Sequence, residues 1–377
     1  MNAERVLGTF LDLVRTDSPS GHEAAVAKYV AAALREAGCE VRTDDAGKRI
    51  GSDTGNVIAV LPGTLPGSIV FTAHMDCVSP CCGVKPVVGD DGVIRSDGST
   101  VLGGDDKVGD ASIIECVRCL AESDEPHVTV KVILTIQEEV GCCGAQALEE
   151  GILEPGEPVF VFDMDGNPGG ATLGAPYHYT FSAEFIGKAS HAGCAPQDGI
   201  HAIAAAAKAV SLMQERGALG AFAEHAAANI GTIKGGTANN IVPAECIVTG
   251  ECRAVDKAKA DANKAVMMQC LEEGATSVGA KVEQDWKLEY DGFLYDESEP
   301  AVQLFKRAAD ACRLPFWNEV SAGGSDANIF AGHGVKPIVV ATGMTNFHAL
   351  NECLKVKDLE DTARLAIALV RAAGQQA

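Results

Sequence analysis

Basic residues are scarce in this sequence. Its 377 residues include 30 lysines and arginines against 52 aspartates and glutamates, which gives a formal net charge of −22 at pH 7. Nucleic acids and anionic membranes attract proteins through clustered basic side chains, so neither is expected as a partner. An acidic chain of this kind suits solubility and the collection of divalent cations.

Long apolar runs are also missing. No stretch of about 18 or more apolar residues occurs, so the sequence predicts no membrane span. The first five residues, Met-Asn-Ala-Glu-Arg, are not a basic region followed by a compact apolar one, and no secretion signal is expected. Together these absences predict a cytoplasmic protein.

Cysteine, in contrast, is abundant, but the spacing of the cysteines shows no pattern typical of a disulfide-bonded fold or a thiolate metal site. The chain has 14 cysteines, and no Cys-x-x-Cys pair is answered by a second pair. A chain of this length does not depend on disulfides for its core, and small buried thiols in a reducing compartment explain the cysteines better than a thiolate metal site. The sequence assigns them no chemistry.

The order of predicted elements indicates two domains. Between residues 40 and 163, strands alternate with helices, which predicts an α/β domain whose mostly parallel sheet is sandwiched by helices. From residue 177 the order becomes β-α-β-β-α-β, the ferredoxin-like α+β plan. The alternation resumes near residue 298. We therefore predict a discontinuous α/β domain, 1–176 and 292–377, with an inserted α+β domain, 177–291.

Two local features complete the prediction of elements. Ser20-Gly21-His22-Glu23 fits a capping box at the start of a helix. A further helix is expected over residues 143–150.

Acidic and histidine side chains recur where predicted strands end. His74 and Asp76 follow the apolar run at 68–71, and the later positions are Asp105-Asp106 in a glycine-rich turn, Glu138-Glu139, Asp163/Asp165 and His348. In open α/β sheets, ligands bind at the carboxyl edge of the strands. These side chains are therefore expected to converge.

If so many carboxylates converge, their negative charges must be neutralised. Adjacent carboxylates such as Glu138 and Glu139 repel each other, and burying them requires cations or protons. Two metal ions would resolve the conflict, with one glutamate as a ligand and the other free as a base. Oxygen and imidazole ligands suit zinc, with cobalt or manganese as possible substitutes. Spacing alone leaves Asp163 and Asp165 equally possible.

The motifs in order resemble a known family. The set His74-x-Asp76, Asp105-Asp106-Lys107, Glu138-Glu139, Asp165-Gly166, Ser190-His191-Ala192-Gly193 and His348 is similar to the di-zinc aminoacylase/carboxypeptidase superfamily. Residues 102–107 and 164–166 most resemble its peptidase T-like branch of tripeptide aminopeptidases. The resemblance covers nearly the whole chain and implies a zinc exopeptidase-like fold whose inserted domain is a lid and dimerisation domain.

The resemblance also implies metal ligands. Asp105 would bridge two zinc ions, and the peptide bond after it is cis in the family. His74 and Asp165 would complete the shell of one ion, and Glu139 and His348 that of the other. Asp165 is preferred to Asp163 because the family's ligand immediately precedes a glycine.

Catalytic roles are implied for three further residues. Asp76 would fix the tautomer of His74 by accepting its other N–H. Glu138 would be the general base for the attack of a hydroxide shared by the two zinc ions. His191 would reach the active site of a partner subunit in a homodimer and stabilise the oxyanion.

Substrate contacts are implied for Asn240, Arg253, Gly324 and Ser325. The run after His348, Ala349-Leu350-Asn351-Glu352, departs from the Gly-Lys-His-Glu-like run of the family. The predicted activity is hydrolysis of short peptides, as by a tripeptide aminopeptidase. The alternatives are an amidohydrolase of N-acyl amino acids that uses the same site, and a metal-binding protein without catalysis.

Overall fold

The structure is a computed structural model, and it describes residues 1–375. The chain forms two compact units. The large unit comprises Met1–Leu173, Tyr295–Glu319 and the chain from Ser325 onward, and the inserted unit comprises Gly174–Leu294 with Val320–Gly324. The predicted boundaries lie after residues 176 and 291, and the short segment 320–324, which the structure groups with the inserted unit, was not part of the predicted insertion.

The elements are numbered along the chain. The strands are β1 (Glu40–Thr43), β2 (Val57–Leu61), β3 (Ser68–His74), β4 (Val87–Val88), β5 (Val93–Arg95), β6 (Thr129–Thr135), β7 (Pro158–Met164), β8 (Gly170–Ala175), β9 (Tyr177–Ile186), β10 (Gly220–Ala223), β11 (Ala226–Gly235), β12 (Glu245–Ala254), β13 (Lys281–Tyr290), β14 (Phe293–Leu294), β15 (Trp317–Val320), β16 (Lys336–Ala341), β17 (Met344–Thr345) and β18 (Cys353–Lys355). The helices are α1 (Ala3–Arg15), α2 (Ala24–Glu36), α3 (Ala46–Ile50), α4 (Gly104–Ala121), α5 (Cys143–Gln146), α6 (Ala202–Glu215), α7 (Lys257–Thr276), α8 (Pro300–Cys312), α9 (Asp326–Gly332) and α10 (Val356–Gly374).

The main sheet of the large unit has a parallel centre. Its strands follow the order β1-β2-β6-β3-β7-β16-β8, and β15 pairs with β8. The pairs β6–β3, β3–β7 and β7–β16 are parallel, whereas β1, β2 and β8 join in antiparallel fashion. This mixed but centrally parallel sheet confirms the predicted fold class. It also places the ends of β3, β6, β7 and β16 at one edge.

Apolar side chains explain why this sheet is central. Ile69, Val70 and Phe71 of β3 are fully buried, as expected for a strand covered by helices on both faces. In α1, Val6, Phe10 and Leu13 recur at helical spacing and are fully buried as well. The core therefore continues from the sheet into the covering helices.

Two local predictions are wrong. Helix α5 is a single turn that ends at Gln146, not a helix to residue 150. Ser20 does not cap α2, because its hydroxyl donates instead to Asp76 Oδ2 over 2.7 Å. The carboxylate of Glu23 accepts from the backbone of Gly21 and from the hydroxyl of Ser52. Hydrogen bonds to residues distant in sequence, Asp76 and Ser52, therefore replace the predicted capping box between Ser20 and Glu23.

The inserted unit has the predicted ferredoxin-like plan. Its antiparallel sheet has the order β10-β11-β12-β9-β13, and a core cluster combines residues of the sheet with residues of α6 and α7. Strand β10 is short and covers only the beginning of β11. The rest of that β11 edge has no neighbouring strand within residues 1–375.

Two further observations concern the whole described chain. All 14 cysteines are free thiols. Among residues 1–375, no helix combines the length and apolar character that crossing a bilayer requires.

Candidate metal centre

The strand-end side chains converge at one edge of the main sheet. His74 is the last residue of β3, and Glu138 and Glu139 follow β6 after a short turn. Asp163 is the penultimate residue of β7, and His348 lies in the loop between β17 and β18. Convergence therefore follows from the parallel register of these central strands.

Asp105 lies at the middle of this cluster. Its Oδ1 is 3.0 Å from Nε2 of His74, and its Oδ2 is 3.1 Å from Nε2 of His348. The second imidazole is also 2.8 Å from Oε2 of Glu139. One carboxylate thus faces both histidines, which is the arrangement that a bridging ligand requires.

The backbone of the turn that carries Asp105 is held by the side chain of Glu352. Gly103 has a left-handed backbone (φ 75°), and the peptide bond between Asp105 and Asp106 is cis, as the resemblance implies. The buried carboxylate of Glu352 accepts from the backbone N–H of Gly103 over 2.8 Å and of Asp105 over 3.0 Å. Regular helical geometry in α4 begins only after Asp106.

Asp76 orients the neighbouring groups. Nδ1 of His74 lies 3.3 Å from Oδ1 of Asp76 and 3.2 Å from its carbonyl oxygen, so this nitrogen donates and Nε2 presents its lone pair to the cluster. The Asp76 carboxylate also accepts from the backbone N–H groups of Glu138 and Glu139 over 2.9 and 3.2 Å. It therefore holds both the imidazole and the turn that bears the two glutamates.

Asp163, rather than Asp165, belongs to the cluster. Its Oδ1 is 3.7 Å from Nε2 of His74, and its side chain is 11% exposed. Asp165 is exposed and takes part in none of the groups that could hold a metal ion among residues 1–375. The structure therefore does not bring Asp165, the predicted ligand, to the cluster, because β7 ends at Met164 and the chain then turns toward Gly343, whose N–H donates to the carbonyl of Gly166.

Unusual backbone conformations flank the cluster. Six non-glycine residues among those described have a positive φ, and four of them lie in the two loops that carry Glu138, Glu139 and His348. These four are Gln137 (φ 52°), Cys142 (φ 54°), Asn346 (φ 56°) and His348 (φ 60°). Left-handed conformations at such residues are costly and concentrate at functional sites.

The donor set fits divalent cations. Ligand atoms of His74, Asp105 and Glu139 lie within 4.8 Å of one another, and so do those of His74, Glu138 and Asp163. Oε1 of Glu139 is buried and has no hydrogen-bond partner among residues 1–375. Nitrogen and carboxylate oxygen in this number suit zinc or a similar ion.

The electrostatics of the site also require positive charge. Burial, with the neighbouring acids Asp326 and Glu139, raises the pKa of Glu138 to about 8, and burial raises the pKa of Asp163 well above its usual range. Hydrogen bonds to Asp105 and Glu139 raise the pKa of His348 to about 10. Without cations, the cluster thus retains protons, and metal binding would displace them.

The predicted substrate residues of the inserted unit lie in two neighbourhoods. His191 is exposed, and its Nδ1 accepts from the backbone N–H groups of Gly193 and Cys194, each over 3.1 Å. The N–H of Ala192 donates to the carbonyl of Asn240 over 2.9 Å, which joins the two loops. Arg253 lies apart from them, with its guanidinium on Glu251 at 3.0 Å and Tyr290 at 3.3 Å.

The remaining two predicted substrate residues, Gly324 and Ser325, make contacts that stabilise the local fold. A Cβ on Gly324 would lie 2.3 Å from the Tyr290 ring, so only glycine fits there. The hydroxyl of Ser325 accepts from the N–H of Ala327 and caps α9.

Comparisons with known proteins identify the family. Residues 177–277 match the peptidase dimerisation domain of the M20 family, and residues 56–202 match peptidase family M28. The crystal structure of aminopeptidase PepT from Bacillus cereus is 37% identical, with 99% of each chain covered and a TM-score of 0.92. A tripeptidase structure from Staphylococcus aureus is 33% identical, with 100% of each chain covered and a TM-score of 0.93.

The chain belongs to the peptidase T-like branch of the M20 family. An uncharacterised Bacillus subtilis protein, YqjE, is also 37% identical over 100% of both chains. As a member of this branch the protein is a metal-dependent peptidase. Its M20 dimerisation domain is the inserted unit.

Several residues of this cluster and its supports were not predicted from the sequence. Asp163 was named but not chosen, and Ser20 and Glu352 were not recognised as supports of Asp76 and Asp105. Nothing in the spacing marked them, because their partners lie 56 and 247 or more residues away in the chain. Asp326, which follows the predicted substrate residues Gly324 and Ser325 and was not predicted itself, has a carboxylate oxygen within 4.8 Å of a ligand atom of Glu138.

Proposed function

We propose that this protein is a di-zinc aminopeptidase that cleaves short peptides, as a tripeptidase of the peptidase T type. The observation that carries the proposal is the carboxylate of Asp105, which faces His74 on one side and His348 on the other, with Glu138 alongside. The relatives named above are an aminopeptidase and a tripeptidase and cover the same length of chain.

The residues that would hold the two ions follow from the groups around Asp105. His74 and Asp163 would bind one ion, Glu139 and His348 the other, and Asp105 both. Bound zinc would polarise the scissile carbonyl and lower the pKa of a coordinated water. Asp163 thereby takes the place that the family pattern had suggested for Asp165.

Glu138 is the proposed general base. Its carboxylate is close to the proposed metal ligands, but neither of the two ions requires it as a ligand. It can therefore accept a proton from the attacking water and return it to the leaving amine. The backbone N–H of Glu138 is fixed on Asp76. This anchoring positions the carboxylate before substrate arrives, which reduces the reorganisation that catalysis requires.

His191 is suited to donate a hydrogen bond to an oxyanion. Because two backbone N–H groups donate to its Nδ1, the neutral ring carries its proton on Nε2. That N–H projects from an exposed loop of the dimerisation domain. We assign it the oxyanion role in a partner subunit.

A homodimer through the inserted unit is part of the proposal. The exposed part of β11, residues 232–235, presents its backbone groups at a sheet edge that β10 leaves uncovered, and Ile233 is 50% exposed. Open edges of this kind pair readily with another strand. A second copy of the same unit would supply one.

Activity assays with Glu138→Gln test the proposal. The variant keeps the shape of the side chain but cannot accept a proton, so we expect kcat on a tripeptide to fall about 10²–10⁴-fold while metal content stays unchanged. Glu139→Gln is the matched control and should lose metal. Blocking the N-terminus of the tripeptide by acetylation should abolish cleavage by the wild type, whereas cleavage of acetylated substrates alone would contradict aminopeptidase action.

A further inference from the structure

Beside the metal centre, the side chain of Glu138 meets two further side chains with metal-ligating atoms, those of Cys142 and Asp326. One ligand atom each from Glu138, Cys142 and Asp326 lies within 4.8 Å of the other two. The thiol of Cys142 donates to Oε1 of Glu138 over 3.3 Å. Cys142 is 3% exposed and Asp326 is 2% exposed, so water screens this group only weakly.

The backbone holds these three side chains together. The N–H of Cys142 donates to the carbonyl of Glu138 over 2.7 Å, which closes the turn that carries both residues. Cys142 has a left-handed backbone (φ 54°) just before α5. Asp326 is the first residue of α9, and its Oδ2 accepts from the hydroxyl of Thr135.

One oxygen of this group lacks a partner. Oδ1 of Asp326 is buried and accepts no hydrogen bond from the residues that the structure describes. An unsatisfied buried carboxylate oxygen is costly unless a proton or a cation relieves it. The thiol of Cys142 has one S–H, and this group donates to Oε1 of Glu138.

The chemistry of the three ligands differs from that of the metal centre. The centre offers imidazole nitrogen and carboxylate oxygen, whereas this group adds a sulfur. A thiolate with two carboxylates selects thiophilic divalent ions such as Zn²⁺ and Cd²⁺ and disfavours Mg²⁺ and Ca²⁺. We propose that Glu138, Cys142 and Asp326 form a third cation subsite, which a thiophilic divalent ion occupies when that ion is in excess.

Occupation of this subsite would inhibit the enzyme, and this consequence rests on the proposed function. On binding, the thiol of Cys142 releases its proton to solvent and its sulfur bonds to the ion. The same ion takes a carboxylate oxygen of Glu138, which then cannot accept a proton from the attacking water. Excess zinc should therefore slow turnover while the two ions of the metal centre remain bound.

Cadmium locates the subsite independently of activity. Crystals of the zinc-loaded protein are soaked in Cd²⁺, and anomalous diffraction at wavelengths that distinguish the two metals is recorded. We expect a cadmium peak among Glu138, Cys142 and Asp326 in the wild type and none there in Cys142→Ser. Cys143→Ser, which changes the adjacent and less buried thiol, is the matched control and should keep the peak.

Inhibition is then measured with the same three proteins. Cys142→Ser should require at least about tenfold more Zn²⁺ for half-inhibition than the wild type or Cys143→Ser, because a ligand has been removed. Absence of cadmium at the three side chains of the wild type would overturn the subsite. A cadmium peak there without any loss of turnover would leave the subsite intact but contradict the role of Glu138 as the base.

Discussion

Asp76→Asn is the substitution that most sharply tests how the metal centre is positioned. Asp76 is fully buried, and each of its carboxylate oxygens faces two donors. Oδ1 lies near the N–H of Glu138 and Nδ1 of His74, and Oδ2 lies near the hydroxyl of Ser20 and the N–H of Glu139. Asparagine has the same shape, but one of its two terminal groups is a donor.

The magnitude follows from the two orientations of that amide. With its NH₂ group in the place of Oδ1, it would face two N–H donors that cannot turn. In the place of Oδ2 it would face a serine hydroxyl, which can rotate and accept, and one backbone N–H, that of Glu139. The second orientation is preferred and costs one hydrogen bond to a charged acceptor, about 1.5–3 kcal/mol of unfolding free energy.

Metal affinity should fall as well. A neutral amide polarises the His74 imidazole less than a carboxylate does, and the backbone N–H of Glu139, a proposed ligand, loses its charged acceptor. Changes of this kind beside metal ligands typically cost about 10–100-fold in affinity. We expect this loss in competition titrations against a chelator, and the stability loss in urea unfolding of the metal-free protein.

Ser20→Ala is the control for this substitution. It removes one donor and leaves the carboxylate with its other three, so about 1 kcal/mol of stability should be lost with nearly unchanged metal affinity. If Asp76→Asn is destabilised but binds metal as tightly as the wild type, Asp76 supports only the fold and the positioning argument is refuted.

Three further predictions follow from the same geometry. Burial raises the pKa of Asp110 to about 7, so the fold favours its protonated form, and this contribution to stability is full below about pH 4 and lost as the pH rises through 7. The unfolding free energy of the metal-free wild type should accordingly fall over that range relative to Asp110→Asn, by at most about 4 kcal/mol, and parallel pH profiles for the two proteins would contradict this. Asp163→Asn should lose one of the two metal ions or bind that ion more weakly, while Asp165→Asn should bind both ions as the wild type does. Metal analysis with the opposite result would restore Asp165 as the ligand. Mixed subunits of His191→Ala and Glu138→Ala should regain part of the activity that each variant lacks, and no recovery despite demonstrated subunit exchange would count against a role of His191 across the dimer.

The sequence was sufficient to predict the fold class because the spacing of apolar residues along the chain shows which faces of helices and strands are buried. The apolar runs of β3, β6 and β7 and the amphipathic α1 each match one element of the structure. The edge where ligands gather follows from the parallel order of these strands. Prediction was poorer where a local pattern competed with a distant partner, as at Ser20, whose hydroxyl binds Asp76 instead of capping α2.

The ligand set shows the same limit more clearly. Asp163 and Asp165 are two residues apart, so a strand would direct both side chains to the same face, and alternation could not separate them. What separates them is the end of β7 at Met164, after which the backbone turns and Asp165 becomes exposed. Strand ends are the least predictable feature of a sequence, and here a single such end decides which aspartate lies in the cluster of proposed ligands.

The central claim is that two cations share Asp105 and are held by residues remote in sequence. Zinc-edge anomalous diffraction from crystals of the zinc-loaded protein tests it most directly. We expect two zinc peaks, one beside His74 and Asp163, the other beside Glu139 and His348, with Asp105 contacting both. A single peak, or two peaks of which neither contacts Asp105, would contradict it.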